Sequence, residues 1–227
     1  LSKDFPWQFR LAAFMRTPIM MFIVVPLSFA LNAYRKVVNY MRPREVGKKT
    51  HMERVNLVIE QIKQWNASGR PRKMRTARAT WLSMNTKLAS NKDECNLIKT
   101  SHLDHILDMD LTSDVKTVTV EPAVTMGDLS DLLLPLGYAL EVHIEMESIT
   151  IGGVTCGFGL EVNSHRSGFF QETVLAIEFV TSHGELKTVT AESDPEAFYA
   201  FPWSCGALGF ITSIQVRLAA VKKYVHV

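Results

Sequence analysis

Thr150-Ile151-Gly152-Gly153-Val154-Thr155-Cys156-Gly157-Phe158-Gly159-Leu160-Glu161-Val162 continues into Asn163-Ser164-His165-Arg166-Ser167-Gly168, and these nineteen residues hold five of the chain's 12 glycines. A backbone so free of side chains either turns sharply or lets something approach it closely. A dinucleotide turn of the GxGxxG kind requires a third glycine and a following helix, so that a pyrophosphate meets the helix amino end. Here the run from Gly157 to Val162 lacks that third glycine, and Asn163 to Gly168 is turn chemistry. A Walker loop requires a GK[ST] ending, which is absent. Two readings stay open. One is a run of turns joining two strands. The other is an extended loop whose amides line a groove for a phosphate-bearing cofactor, with Ser164 and His165 adding polar contacts at its end.

The flanking sequence is regular. On the amino-terminal side, Val115 to Val120 is rich in β-branched residues and predicts a strand, ended by Glu121-Pro122. Thr125 to Leu134 has helical spacing with early acids, Pro135-Leu136-Gly137 stops it, and Tyr138 to Val142 resumes extended chain. On the carboxyl-terminal side, Thr173 to Val180 and Glu185 to Thr190 flank Ser182-His183-Gly184 as a hairpin, and Asp194-Pro195 opens a short helix toward Phe201. Phe210, Thr212, Ile214, Val216 and Leu218 alternate with Ile211, Ser213, Gln215 and Arg217, which predicts a half-buried strand. Further upstream, Thr50-His51-Met52-Glu53 reads as a capping box. The stripe Met52, Val55, Val58, Ile59, Ile62 and Trp65 then runs to a stop at Ser68-Gly69. Arg70 to Arg78 is a basic turn, either solvated or contacting an anion, and Thr80 to Met84 has strand character. Leu97 to Leu111 is of mixed type. The fold class is α+β.

A net charge of +2 with 47% hydrophobic and 21% charged residues describes a globular protein, and its cations concentrate in the first third of the chain. No nucleic-acid partner is expected. Cys95, Cys156 and Cys205 form neither a CxxC pair nor a histidine-flanked set, so no metal site is expected and a reducing compartment fits. Between Arg16 and Arg35 the chain is uncharged over about the length that crosses a bilayer, which reads as a membrane span, with a buried core helix or an uncleaved signal region as the alternatives. Arg35, Lys36, Arg42, Arg44, Lys48 and Lys49 follow it and only Lys3, Arg10 and Arg16 precede it, which places the bulk of the protein on the cytosolic side. The expected organisation is an N-terminal segment (1–16), a transmembrane helix (17–38), a basic linker (39–49) and a folded domain (50–227).

Taken in order, VEPAVTMGDLSDLLLPLGYAL, ESITIGGVTCGFGLEVNSHRSGFFQ and SDPEAFYAFPWSCGALGFITSIQVRLAAVKKYV resemble the Delta(24)-sterol reductase (diminuto or seladin) family. That family lies within the PCMH-type (vanillyl-alcohol oxidase) flavoproteins, and YAFPWSCGALGF is its most specific block here. The resemblance implies a PCMH-type FAD-binding domain of two α+β subdomains behind an N-terminal membrane-anchor helix. It implies reduction of the C24–C25 double bond of a sterol in the endoplasmic reticulum membrane, with FAD as carrier and NADPH as hydride source. Carried over residue by residue, the flavin loop is Thr150 through Val162. Gly152, Gly153, Gly157 and Gly159 would bring amides to the pyrophosphate, and Thr150 and Thr155 would offer hydroxyls. Gly206 and Gly209 stand beside Ser164 and His165 as secondary contacts, while Cys156 and Cys205 read as packing residues.

The chain departs from the family in two places. Arg75-Thr76-Ala77-Arg78-Ala79-Thr80-Trp81 has no glycine where the family has one, and the sequence stops at Val227, after the flavin domain and before any cap domain. It therefore reads as part of a longer reductase or as a shortened relative. The resemblance assigns no proton donor within it. The alternatives to a reductase are a membrane-tethered binding or structural partner and an FAD oxidase of another substrate.

Overall fold

The computed structural model describes residues 14–41, 48–78 and 92–222. The chain divides into two compact units, Leu1–Pro43 and Arg44–Val227. The predicted strand from Thr80 to Met84 lies outside the described residues.

In the first unit the chain is helical from residue 14 through α1 (Val25–Met41), interrupted by one wider turn over Met20–Val24 in which the Val25 amide donates to the Met20 carbonyl. Pro26 explains the turn, since it has no N–H to give and its ring crowds the carbonyl four residues back; a local π-turn relieves both. Phe14, Phe22 and Phe29 are more than 70% exposed within this unit, and the window Phe14–Leu31 has a mean hydropathy of 1.8. The helix is long and apolar enough to cross a membrane.

The second unit runs α2 (Lys48–Ala67), β1 (Met74–Thr76), β2 (Asn96–Ile98), β3 (Ile106–Asp110), β4 (Thr117–Val120), α3 (Met126–Leu133), β5 (Tyr138–Leu140), α4 (Ile151–Cys156), α5 (Ser164–Ser167), β6 (Val174–Val180), β7 (Leu186–Thr190), α6 (Pro195–Ala200) and β8 (Phe210–Ala220). β1 and β2 form a parallel pair, and the other strands form an antiparallel sheet of order β3-β4-β8-β6-β7 with β5 also on β8. Two buried clusters follow from this layout. Val118, Val120, Ile177, Phe179, Ile214 and Val216 face α3, α4, Phe170 and Phe201 in the larger. The smaller joins Val55, Val58 and Ile62 of α2 to Ile98, Leu103 and Val180. The mixed α+β class is as read from the sequence.

Local signals worked where they were strong. Thr125 caps α3 through a reciprocal pair with Asp128, and Met126, Leu129 and Leu133 form its buried stripe. Asp194 accepts from the Ala197 amide at the start of α6. Three readings need correction. α2 begins at Lys48, so Thr50 lies inside it, and its stripe is His51, Val55, Val58 and Ile62, with Met52 left 39% exposed. In β8 a register shift opposite Glu178 and Phe179 inserts Thr212 as an extra residue, which turns Ile211 into the larger core and Thr212 toward Glu178. In the first half of Thr150 to Val162 the chain is neither extended nor a run of turns, because Ile151 to Cys156 form α4 with Ile151, Val154 and Thr155 as its buried stripe, while Gly157 to Val162 continue as a loop.

Candidate functional site

The loop that follows β4 supports the site. In it, the carbonyls of Val124 and Pro122 accept from the amides of Ile151 and Gly152 at 2.9 Å each, and Thr125 bridges Thr150. These bonds seat the start of α4 on the Pro122–Thr125 loop. A Cβ at Gly152 would stand 2.5 Å from that of Pro122, and one at Gly159 would stand 2.5 Å from that of Phe170. Both glycines are therefore required by protein packing, since no real Cβ tolerates such contacts.

Gly153 differs. It is exposed, and a Cβ there would meet only the Thr150 hydroxyl at 3.0 Å and the Arg78 Nη1 at 3.8 Å. The amides of Gly157 and Gly159 have acceptors in the Gly153 carbonyl and Gln171 Oε1, whereas the Gly153 amide has no protein acceptor among the described residues. Thr155 is buried and its hydroxyl donates to the Ile151 carbonyl, so Thr150 is the hydroxyl that lies beside Gly153.

The Arg78 guanidinium donates to Thr150 Oγ1 at 2.8 Å, joining the basic turn to the glycine-rich segment across 72 residues of sequence. Lys92 in turn donates to the Arg78 carbonyl. Burial lowers the pKa of Arg78, and burial followed by the charges of Arg75 and Arg78 lowers that of Lys92. Among the described residues neither cation has a carboxylate partner. Thr150, Gly153 and Arg78 thus form an anion cradle: one free amide and a half-buried cation set around a hydroxyl.

The rest of the predicted loop lies at the other end of α4. Gln171, which the sequence did not single out, donates to the carbonyls of Val154 and Gly157 and fixes that end. Phe158 stacks on Trp203 with ring centres 4.5 Å apart and also touches Phe169, and these three rings form an exposed apolar cluster; Leu160 and Val162, next in sequence, are exposed as well. The Glu161 amide donates to Ser164 Oγ, and His165 Nδ1 meets the Val162 carbonyl at 2.9 Å, so both secondary residues serve the local turn. Cys156 meets the turn that holds Cys205 and Gly206, where the Cys205 amide donates to the Cys156 carbonyl.

Residues 56–190 match the FAD binding domain family. The chain is 36% identical over 212 residues to the Delta(24)-sterol reductase homolog of Caenorhabditis elegans, covering 89% of this chain and 40% of that protein. It is 34% identical over 207 residues to the Delta(24)-sterol reductase of Homo sapiens, covering 89% of this chain and 39% of that protein. The chain therefore spans about 40% of the length of these curated relatives. Among solved structures, 6-hydroxy-D-nicotine oxidase from Arthrobacter nicotinovorans matches with a TM-score of 0.60 at 18% identity, over 72% of this chain and 34% of its own. The BBE-like 1 protein of Physcomitrella patens matches at 0.61 and 16% identity, over 74% of this chain and 35% of its own. These two share the fold. A dinucleotide pyrophosphate suits the cradle, because it would satisfy the Gly153 amide and give Arg78 the negative partner it lacks. Matched over residues 56–190, more than half of its length, the chain belongs to the FAD binding domain family.

Proposed function

We propose that the protein is a membrane-anchored, FAD-dependent reductase of the C24–C25 double bond of sterols, with NADPH as the hydride source. The observation that carries the reading is the Arg78–Thr150–Gly153 cradle inside a chain similar to Delta(24)-sterol reductases. Thr150 through Val162 is the flavin-binding segment. Within it Thr150, Gly153 and Arg78 hold the pyrophosphate, Gly152 and Gly159 let α4 pack, and Phe158 and Leu160 keep the neighbouring surface apolar. Bound FAD supplies hydride transfer from a reduced nicotinamide to carbon, and the chain's own residues position it and exclude water. The helix over Phe14–Leu31 inserts in the endoplasmic reticulum membrane where sterol partitions, with the flavin domain on the cytosolic side.

Reconstituted in liposomes with FAD, the protein should transfer deuterium from labelled NADPH into the side chain of a sterol that carries this double bond. Unchanged sterol with FAD still bound would contradict the reductase reading. Rapid reoxidation of the reduced flavin by air under the same conditions would identify an oxidase instead.

A further inference from the structure

We propose that Cys156 and Cys205 form a reversible disulfide, closed by an oxidant of the peroxide class, that staples the end of α4 to the Trp203–Gly206 turn. The pair is 49 positions apart in sequence, but the Cys205 amide donates to the Cys156 carbonyl at 2.9 Å and the Trp203 amide donates to the Gly157 carbonyl at 3.1 Å. With the Cys205 nitrogen bonded to the Cys156 carbonyl oxygen, covalent geometry holds the two Cα atoms within roughly 7 Å, at the reach of a disulfide. The Cys156 sulfur lies against that turn, with the Ser204 side chain and the Gly206 amide placed to hydrogen-bond its thiolate.

The turn is also held in an unusual shape. Trp203 and Cys205 have φ of 66° and 49°, a left-handed conformation that non-glycine residues seldom adopt, and theirs are the two amides that bond back to α4. Such strain persists only where surrounding contacts fix it. Here those contacts keep Cys205 exposed and next to the half-buried Cys156, which divides the labour between a more accessible thiol and a less accessible one.

The chemistry balances without any bound group. The Cys205 thiolate attacks a peroxide oxygen, the O–O bond breaks, and the departing hydroxide takes a proton to become water, leaving a sulfenic acid. The Cys156 thiolate attacks that sulfur, the S–O bond breaks, and a second water leaves. Two thiols lose two protons and two electrons, and one peroxide is reduced to two waters. Burial pushes the Cys156 thiol up to about 11, opposed by its hydrogen bonds from Ser204 and Gly206, so the closing step should accelerate as pH rises through the alkaline range.

The reduced full chain, treated with equimolar hydrogen peroxide, should lose about 2 Da, yield a peptide linking Cys156 to Cys205, and return to its starting mass with dithiothreitol. Cys95→Ser should behave identically. Cys205→Ser and Cys156→Ser should each abolish the link, with unchanged far-ultraviolet circular dichroism showing that they fold. The oxidised form should unfold roughly 10 °C higher, because the bridge closes a long loop. A sulfinic acid at Cys205 with Cys156 still a free thiol, or dimers joined through Cys205, would overturn the proposal.

Discussion

Replacing Arg78 with alanine should weaken FAD binding by roughly 10- to 100-fold, the loss expected when one charge-assisted hydrogen bond is removed. The apoprotein should be unharmed. Arg78 is half-buried, carries a pKa lowered by burial, and lies near Lys92, so in the empty fold its charge is offset by the hydrogen bond to Thr150 and by no carboxylate among the described residues. The apoprotein's unfolding midpoint should therefore move by no more than about 2 °C, as for a substitution that opens no core cavity. Titration of wild type and variant, followed by flavin fluorescence, separates the two effects. An Arg78→Ala variant that binds FAD as tightly as wild type would show that the guanidinium serves only to hold Thr150. Gly153→Ala is the companion, because its Cβ would enter the cradle and press on the Thr150 hydroxyl rather than on the core.

Replacing His51 with alanine should destabilise the folded domain by about 3–5 kcal/mol, the usual cost of removing one partner from a buried ion pair. His51 is 6% exposed, and its two ring nitrogens lie 2.7 Å from Glu121 Oε1 and 2.9 Å from Glu178 Oε1. With a carboxylate at each nitrogen the ring is an imidazolium that donates in both directions. Glu121 also accepts from Arg54 Nε and the His105 amide, and Glu178 from the Thr212 hydroxyl. Two carboxylates and two cations thus make a neutral buried set tying α2 to β6, β8 and the end of β4. Without His51, Glu178 keeps only a neutral hydroxyl and faces Glu121 across the gap.

The pH dependence has a definite sign. Burial lowers the His51 pKa, but the hydrogen bonds and charges of Glu121 and Glu178 outweigh it and raise the pKa from 6.5 to about 9. A group whose folded pKa is raised contributes fully below its unfolded value and loses that contribution as pH climbs through the folded one. Stability should therefore fall between about pH 6.5 and 9. For Glu121 and Glu178 burial raises the pKa, and their contacts, led by His51, carry it below the usual carboxylate value of 4.5. Their contribution is present above 4.5 and lost as pH falls through the depressed values. Denaturant unfolding of wild type at pH 6 and pH 9 should show the alkaline loss, and His51→Ala should flatten it. An equal alkaline slope in the variant would place the titrating group elsewhere.

The sequence carried those elements whose cause is local. The capped helix α3, the β6–β7 hairpin, the Asp194-capped α6 and the alternating β8 each announce themselves within a dozen residues. What it did not carry is what depends on distant partners. Thr212 reads as one more inward position until the bulge opposite Glu178 is known. His51 reads as a polar neighbour of Met52, although His51, Val55, Val58 and Ile62 keep helical spacing as strictly as the stripe assigned to Met52. Glu178, one acid inside the apolar run Val174 to Val180, was the other available signal, since a buried charge demands a partner.

The candidate site divides in the same way. Its glycine-rich half is visible as composition, whereas its cationic half comes from a turn 72 positions earlier that only the fold brings alongside. The glycines themselves looked like one device and are two. Gly152 and Gly159 let a short helix press against Pro122 and Phe170, and Gly153 alone leaves the cradle open.

A crystal structure of the protein with FAD bound would show whether Thr150, Gly153 and Arg78 hold the pyrophosphate. Pyrophosphate oxygens should lie within about 3 Å of the Gly153 amide and the Arg78 guanidinium, with the Arg78 hydrogen bond to Thr150 retained or passed to the phosphate. FAD seated with its pyrophosphate away from these groups, and Arg78 still bound only to Thr150, would contradict that assignment.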